Sequence, residues 1–259
     1  NYWRGYNCVG QEYAKIGDHE KALEYYTLAC EKDAWAPPVP YMLRGALYVD
    51  QIKNYDLAIA DFNKVLTFPN RNDPSQLDAR HNLGLAYYKK GDFTNALKVL
   101  DEAIQIAPNH PKGYYFKGLV YAAMRNYEQA ELAYTNTIKV APAYSAAYLN
   151  RGVLYTDNIN QFDKGIADFR KVLQMEPNHR DATINIGICL YKKEMLNEAI
   201  QQYNLSLKMY PNEARIYYLR ALVYEKANNF KLAHQDGIKA KQLGLNISDQ
   251  TLNEWKAKW

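Results

Sequence analysis

Three arginines recur along the chain, each followed at nearly the same spacing by an aspartate. The pairs are Arg44 with Asp61, Arg151 with Asp168, and Arg220 with Asp236. The first two pairs lie in stretches 44–66 and 151–173, which share 14 of 23 residues without a gap. An arginine beside a carboxylate can belong to a catalytic site, but the structural role is the commoner one, because the planar guanidinium binds both carboxylate oxygens at once. We therefore expect three partly buried, bidentate ion pairs that stabilise the fold.

The remaining residues that could do chemistry are scattered. No Gly-rich phosphate loop, HExxH motif or GxSxG motif occurs in the sequence. The three cysteines are an odd number without a CxxC motif, which favours unpaired thiols over a disulfide framework or a zinc site. The histidines are His19, His81, His110, His179 and His234. The sequence therefore predicts a protein without enzymatic activity, metal or cofactor.

The composition is that of a folded chain without a strong charge preference. Of 259 residues, 48% are hydrophobic and 23% are charged, and the formal net charge is +4. The basic excess is small and dispersed, which disfavours a nucleic-acid partner, and the apolar runs are too short for membrane insertion. Unpaired thiols favour the cytoplasm, while the periplasm stays open because the sequence begins without Met or a signal segment and a leader could have been removed.

The ion pairs belong to a longer pattern, a repeat with a period of about 34 residues. Seven repeats begin near Trp3, Pro38, Leu77, Pro111, Ser145, Arg180 and Ala214. Each repeat has a small residue at position 8 and another near position 20, as Gly84 and Ala96 show for repeat three. Aromatic residues recur at positions 4, 11 and 24. This spacing predicts two amphipathic helices per repeat, which approach closely at the small residues.

This pattern resembles the tetratricopeptide repeat, and the resemblance covers nearly the whole chain. It implies an all-α fold, a right-handed superhelical solenoid of stacked antiparallel helix pairs whose first helices line a concave groove. The repeats would span residues 3–36, 38–72, 77–110, 111–144, 145–179, 180–213 and 214–247. Residues 248–259 would form a C-terminal capping helix that begins at Ser248 and covers the last repeat with Leu252, Trp255 and Trp259.

The resemblance also implies which side chains face the groove. Asparagines at position 6 resemble a ladder by which some relatives hold a peptide backbone, and they are Asn82, Asn150 and Asn185. The other predicted groove residues are His81, Tyr88, Tyr115, Phe116, Leu119, Leu149, Val153, Ile184, Ile188, Tyr191, Tyr218 and Leu219. Most of them are apolar, and the basic and acidic residues at groove positions nearly cancel. A receptor for acidic tails is therefore not expected.

These residues predict a non-enzymatic scaffold that binds an extended or helical segment of a protein or peptide partner in the groove. Two alternatives stay open. The chain could be a substrate-selecting or regulatory domain of a larger enzyme, for example a glycosyltransferase. It could also be a self-assembling scaffold that forms a homo-oligomer.

Overall fold

The computed structural model describes residues 2–32, 37–69 and 74–259. These residues form α-helices joined by short connections, with no strand among them, so the all-α prediction is confirmed. None of the described helices is both long and apolar enough to cross a membrane. The predicted repeat ends at residues 36 and 72 fall outside the described residues.

A π-helical segment, Tyr48–Ile52, continues the third helix. The α-helices are α1 (Tyr2–Lys15), α2 (His19–Glu31), α3 (Pro38–Leu47), α4 (Tyr55–Leu66), α5 (Pro74–Lys90), α6 (Phe93–Ile106), α7 (Pro111–Ala123), α8 (Tyr127–Val140), α9 (Ser145–Asp157), α10 (Phe162–Met175), α11 (Arg180–Lys192), α12 (Leu196–Met209), α13 (Ala214–Lys226), α14 (Phe230–Gln242) and α15 (Asp249–Lys258).

The chain divides into two compact units. The first unit, Asn1–Ala141, contains α1 to α8, and the second unit, Pro142–Trp259, contains α9 to α15. Within each unit, consecutive helices pair as hairpins, and the second helix of a hairpin also packs against the first helix of the next. Neighbouring first helices touch directly, as α5 touches α7 and as α11 touches α9 and α13. In each unit the first helices therefore form one continuous face.

In five hairpins, the turn combines a left-handed residue with a side-chain N-cap. Side chains that accept a hydrogen bond from the backbone N–H three residues later are Asp18, Asn54, Asp92, Asn126 and Asn229. The residues with positive φ that precede these caps are Gly17, Lys53, Gly91, Arg125 and Asn228. The left-handed residue ends the first helix, and the cap satisfies an N–H group at the start of the second.

Hairpins close over a contact between glycine on the first helix and a bulky side chain on the second. A Cβ atom added to Gly152 would lie 2.7 Å from Cε1 of Phe169, and one added to Gly45 would lie 2.7 Å from Cε1 of Phe62. Both phenylalanines are fully buried. The glycine at position 8 leaves the space that the ring fills, which lets the two backbones approach each other.

The seventh repeat lacks the bulky side chain on its second helix. Its first helix, α13, carries Ala221 at position 8, and its second helix, α14, carries Gly237 at the place of the ring. A Cβ atom on Gly237 would lie 2.6 Å from Cζ3 of Trp255, which is 1% exposed. The ring that closes the last hairpin therefore comes from α15 and not from the hairpin itself.

The capping helix starts as the sequence predicts, and its three predicted contact residues cover the last repeat to different extents. The Ser248 hydroxyl accepts a hydrogen bond from the N–H of Thr251, and Leu252 is buried against the last hairpin. Trp259 is 56% exposed, so it covers the last repeat only in part. Trp259 lies beyond the last residue of α15, where its ring contacts that of His234 at a centroid distance of 5.5 Å.

Replacing Gly152 with alanine tests the close approach inside a hairpin. Alanine favours the helical state over glycine by about 1 kcal/mol, but a Cβ atom here would overlap the buried ring of Phe169. We expect Gly152→Ala to lower the free energy of unfolding by about 1–3 kcal/mol in urea titrations followed by circular dichroism. Gly5→Ala on α1 is the control, because a Cβ atom there meets nothing within 4 Å. This substitution should be neutral or stabilising. Equal effects of the two substitutions would contradict the close approach.

Candidate functional site

The structure brings each predicted arginine and aspartate together across its hairpin. Nε and Nη2 of Arg151 donate to Oδ2 and Oδ1 of Asp168, each at 2.8 Å. All three aspartates are buried. The same two hydrogen bonds join the other pairs, Arg44 with Asp61 at 2.9 and 2.7 Å and Arg220 with Asp236 at 2.6 and 2.7 Å. The pairs are thus bidentate and largely shielded from water.

Tyrosine rings flank these guanidinium groups. The guanidinium carbon of Arg220 lies 5.7 Å from the ring centroids of both Tyr217 and Tyr224, which stand about one helical turn before and after it. In the second repeat, the hydrogen bonds that Arg44 donates to Asp61 raise the pKa of Arg44 above its ordinary value. A guanidinium that keeps its proton cannot act as a general acid or base. The geometry therefore assigns the pairs a structural role.

Two of the arginines also contact the preceding hairpin, which the sequence reasoning missed. Nη1 of Arg44 donates to Oγ1 of Thr27 at 3.1 Å, and Nη1 of Arg220 donates to Oδ1 of Asn204. Thr27 and Asn204 precede their arginines by 17 and 16 residues and stand at the same position of their repeats. The sequence signal for these contacts is a residue with a hydroxyl or amide group 16 or 17 positions before each arginine.

Repeat four has a lysine at the arginine position. Nζ of Lys117 donates to Oδ1 of Asp101 on the second helix of repeat three. Asp101 stands at the repeat position that Thr27 occupies in repeat one, while repeat four has Ala133 where the arginine-containing repeats have aspartate. A basic side chain at position 7 therefore contacts the preceding hairpin even where its own hairpin has no carboxylate at the aspartate position.

The cysteines are free thiols. Cys30 and Cys189 are buried, and burial raises the pKa of both thiols, that of Cys30 to about 12. A buried thiol with a raised pKa forms little thiolate and reacts slowly. Neither of these two side chains is therefore a candidate reactive cysteine.

Five predicted groove residues lie half-buried on α5 and α7. They are Asn82, Tyr88, Tyr115, Phe116 and Leu119, and together we call them the first-unit surface. The rings of Tyr115 and Phe116 contact each other at a centroid distance of 5.7 Å. Nζ of Lys112 on α7 donates to Oδ1 of Asp78 on α5 at 3.2 Å, so two charged residues of these helices neutralise each other.

Eight predicted groove residues lie half-buried on the first helices of the second unit. They are Leu149, Asn150 and Val153 on α9, Asn185, Ile188 and Tyr191 on α11, and Tyr218 and Leu219 on α13, and we call them the second-unit surface. Ion pairs link neighbouring hairpins here as well. Nζ of Lys192 donates to Asp157 at 2.8 Å, and Nζ of Lys226 donates to Glu194 at 2.7 Å.

The three predicted ladder asparagines differ in their partners within the chain. In the part of the chain that the structure describes, the side chains of Asn82 and Asn185 have no hydrogen-bond partner, although both are half-buried. Asn150, in contrast, already has a partner. Two of the three amides thus keep donors and acceptors available for a ligand.

The prediction that His81 and Ile184 face the groove is wrong, since each is only 1% exposed. Ile184 packs in a core cluster with Tyr203 on α12 and Ile216 on α13. His81 stacks on His110 at a ring-centroid distance of 4.8 Å. Both residues stand at position 5, and the neighbouring first helix covers them because adjacent first helices touch directly.

The sequence matches known families along most of its length. The tetratricopeptide repeat matches residues 4–33, 117–158 and 160–223. The family described as anaphase-promoting complex, cyclosome, subunit 3 matches residues 50–137. A TPR repeat-containing protein from Methanocaldococcus jannaschii is 26% identical over 238 residues, which is 85% of this chain and 41% of that protein. The chain thus spans about two fifths of the length of this relative.

Solved structures share the fold. A tetratricopeptide repeat protein from Parabacteroides merdae superposes with a TM-score of 0.67 at 18% identity, covering 99% of this chain and 98% of its own. YrrB, described as a TPR protein with an unusual peptide-binding site, superposes with a TM-score of 0.60 at 20% identity, covering 76% of this chain and 98% of its own. At these identities the likeness establishes the fold alone.

The ion pairs predict a difference between single and double substitutions. Arg151→Leu leaves Asp168 buried without its partner, and we expect it to lower the free energy of unfolding by about 3–5 kcal/mol. Arg151→Leu combined with Asp168→Val should cost less than about 2 kcal/mol, because apolar residues can replace a buried ion pair with little loss. Repeat three carries this apolar combination naturally as Leu83 and Val99. A double variant as unstable as Arg151→Leu in urea titrations would contradict the pairing.

Proposed function

Because this chain belongs to the tetratricopeptide-repeat family and has the fold of a protein-interaction scaffold, we propose that it binds an extended segment of a partner protein on the face formed by its first helices. The first-unit surface and the second-unit surface each act as a binding surface in their own right. In each, one asparagine hydrogen-bonds the main chain of the ligand, and the surrounding side chains pack against its apolar residues.

The observation that carries this proposal is the unused hydrogen-bonding capacity of Asn82 and Asn185. The amide atoms of both side chains still reach solvent, because neither is among the buried polar atoms without a partner. A ligand can therefore form these hydrogen bonds without any rearrangement of the amides. Since a side-chain amide both donates and accepts, it matches the N–H and C=O groups of a peptide main chain whatever the ligand's side chains are.

The neighbours of Asn185 suit an extended ligand. Ile188 and Tyr191 follow it along α11, and Leu219 lies on α13, the next first helix. Successive side chains of an extended peptide point to opposite sides, so every second one can pack on these apolar groups while the main chain lies over the amide. Each packed side chain removes apolar area from water on both molecules, which contributes most of the binding free energy.

The charged residues of these helices favour a ligand chosen by shape and hydrogen bonds and not by net charge. The ammonium groups of Lys112, Lys192 and Lys226 each donate to a carboxylate of a neighbouring hairpin. Their positive charges are therefore already compensated. A ligand with a highly charged tail gains little from them at physiological ionic strength.

The comparisons support a protein as the ligand. Residues 50–137 match a family named for a subunit of a multiprotein complex, and YrrB is described by its peptide-binding site. These likenesses favour a peptide segment over a small molecule. The choice of binding face comes from the residues of this chain.

Selected peptides provide the test. A random peptide library is displayed and selected on the immobilised wild-type protein, and the dissociation constants of the enriched peptides are measured by fluorescence anisotropy at neutral pH. For peptides held by the second-unit surface, we expect Asn185→Ala to weaken binding about 10-fold, since two hydrogen bonds of about 0.7 kcal/mol each are lost. Ile188→Ala should weaken the same peptides by removing packing area.

The matched control is Asn197→Ala, which removes an exposed asparagine from α12, a second helix of the same unit. It should leave the dissociation constants unchanged. For peptides held by the first-unit surface, Asn82→Ala is compared in the same way with Asn63→Ala on α4, which is also exposed. Peptides whose affinity falls with the control substitutions but not with Asn185→Ala or Asn82→Ala would place binding on another face and overturn the proposal.

A further inference from the structure

The stacked rings of His81 and His110 form an unusual buried contact in the first unit. His81 lies on α5, and His110 immediately precedes α7, so their stack joins two neighbouring hairpins. The rings are 4.8 Å apart between centroids and inclined by 23°. The Nδ1 atoms of both are buried, and neither has a hydrogen-bond partner among the described residues. Two imidazoles are thus packed like apolar rings.

The surroundings of the pair give little support to a positive charge. The titratable and charged groups that face His81 are His110, Lys112 and Asp78. Asp78 already accepts a hydrogen bond from Lys112 at 3.2 Å. Phe116 on α7 meets the His81 ring edge to face at 6.4 Å, and a Cβ atom on Gly113 would lie 3.7 Å from Nε2 of His81. An imidazolium formed here would face a second imidazole, a lysine and a phenylalanine ring.

We propose that the His81–His110 stack is an acid-sensitive contact whose protonation separates α5 from α7 and displaces Phe116 from the first-unit surface. The charged ring can be solvated only if water enters the junction, and water enters only if the two first helices move apart. Phe116 follows because its ring rests on His81. If the first-unit surface binds a partner, as proposed above, acidification weakens that binding; this consequence rests on the proposed function, while the opening itself does not.

The direction of the effect follows from the pKa of His81. Burial lowers it from 6.5 to about 4, with His110 and Lys112 acting in the same direction. Between about pH 4 and pH 6.5, the closed contact between α5 and α7 therefore binds fewer protons than the open one. Its stability is complete above about pH 6.5, falls as the pH is lowered and levels off below about pH 4. At pH 5 the equilibrium constant for opening should be about 20-fold larger than at neutral pH.

Nuclear magnetic resonance of the free protein tests this. Amide hydrogen exchange of α7, corrected for the intrinsic exchange rate, gives the opening constant at neutral pH and at about pH 5, while the ring signals of His81 and Phe116 are followed across the same range. In the wild type we expect the α7 opening constant to rise about 20-fold and the Phe116 signals to change together with those of His81. The amides of α9 are an internal reference, because Leu149 stands there at the position of His81 and no histidine caps this helix.

His81→Ile supplies the residue that repeat six buries at this position and should abolish most of the pH dependence of α7. His110→Gln removes the second ring and should reduce it, which keeps a test available if His81→Ile does not fold. His179→Gln is the matched control: His179 ends the same PNH turn after repeat five, its Nδ1 accepts a hydrogen bond from the N–H of Ala182, and the wild-type dependence should remain.

Two results would overturn the proposal. One is an α7 opening constant in the wild type that changes no more than that of α9 on acidification. The other is a pH dependence that both His81→Ile and His110→Gln retain in full. Because no peptide is present, either result leaves the peptide-binding test untouched, and a failure of peptide binding at neutral pH leaves this measurement untouched.

Discussion

The distance between the two helices of a hairpin depends on a glycine that faces a bulky side chain. Gly152 against Phe169 and Gly45 against Phe62 bring the backbones closer than any larger residue at position 8 would allow. The arginine one residue earlier binds its aspartate across the same pair of helices, as Arg151 binds Asp168 with two hydrogen bonds of 2.8 Å. The continuous face of first helices is a further result, since close hairpins allow neighbouring first helices to touch.

The basic residue at position 7 can form contacts both within its own hairpin and with the preceding hairpin. Within a hairpin it binds an aspartate, and between hairpins it binds a hydroxyl, amide or carboxylate, as Arg44 does with Thr27 and Lys117 does with Asp101. In stacked repeats, stability is the sum of a term for each repeat and a term for each interface. An arginine that serves both terms makes neighbouring hairpins depend on each other. Loss of one such residue should therefore be felt beyond its own repeat.

Much of this fold can be predicted from the sequence, because its contacts join residues that are close in the sequence and recur from repeat to repeat. Arg151 and Asp168 are only 17 residues apart, and their spacing recurs, so pairing could be inferred without coordinates. The burial of His81 and Ile184 could not, because it depends on how closely the next first helix approaches, and Tyr115 at the same repeat position stays half-buried. The partner of Asn150 and the exposure of Trp259 likewise depend on packing around single residues that no repeat pattern records.

Gly237 has a consequence for how such an array can grow over evolutionary time. Arrays lengthen when a repeat is duplicated, and any internal repeat of this chain could be copied with its own bulky side chain in place. A copy of repeat seven inserted into the interior would carry Gly237 without Trp255, and the ring-sized space between its helices would stay empty. Because the packing of repeat seven depends on α15, a duplicated internal repeat keeps its own contacts better than a duplicated repeat seven does.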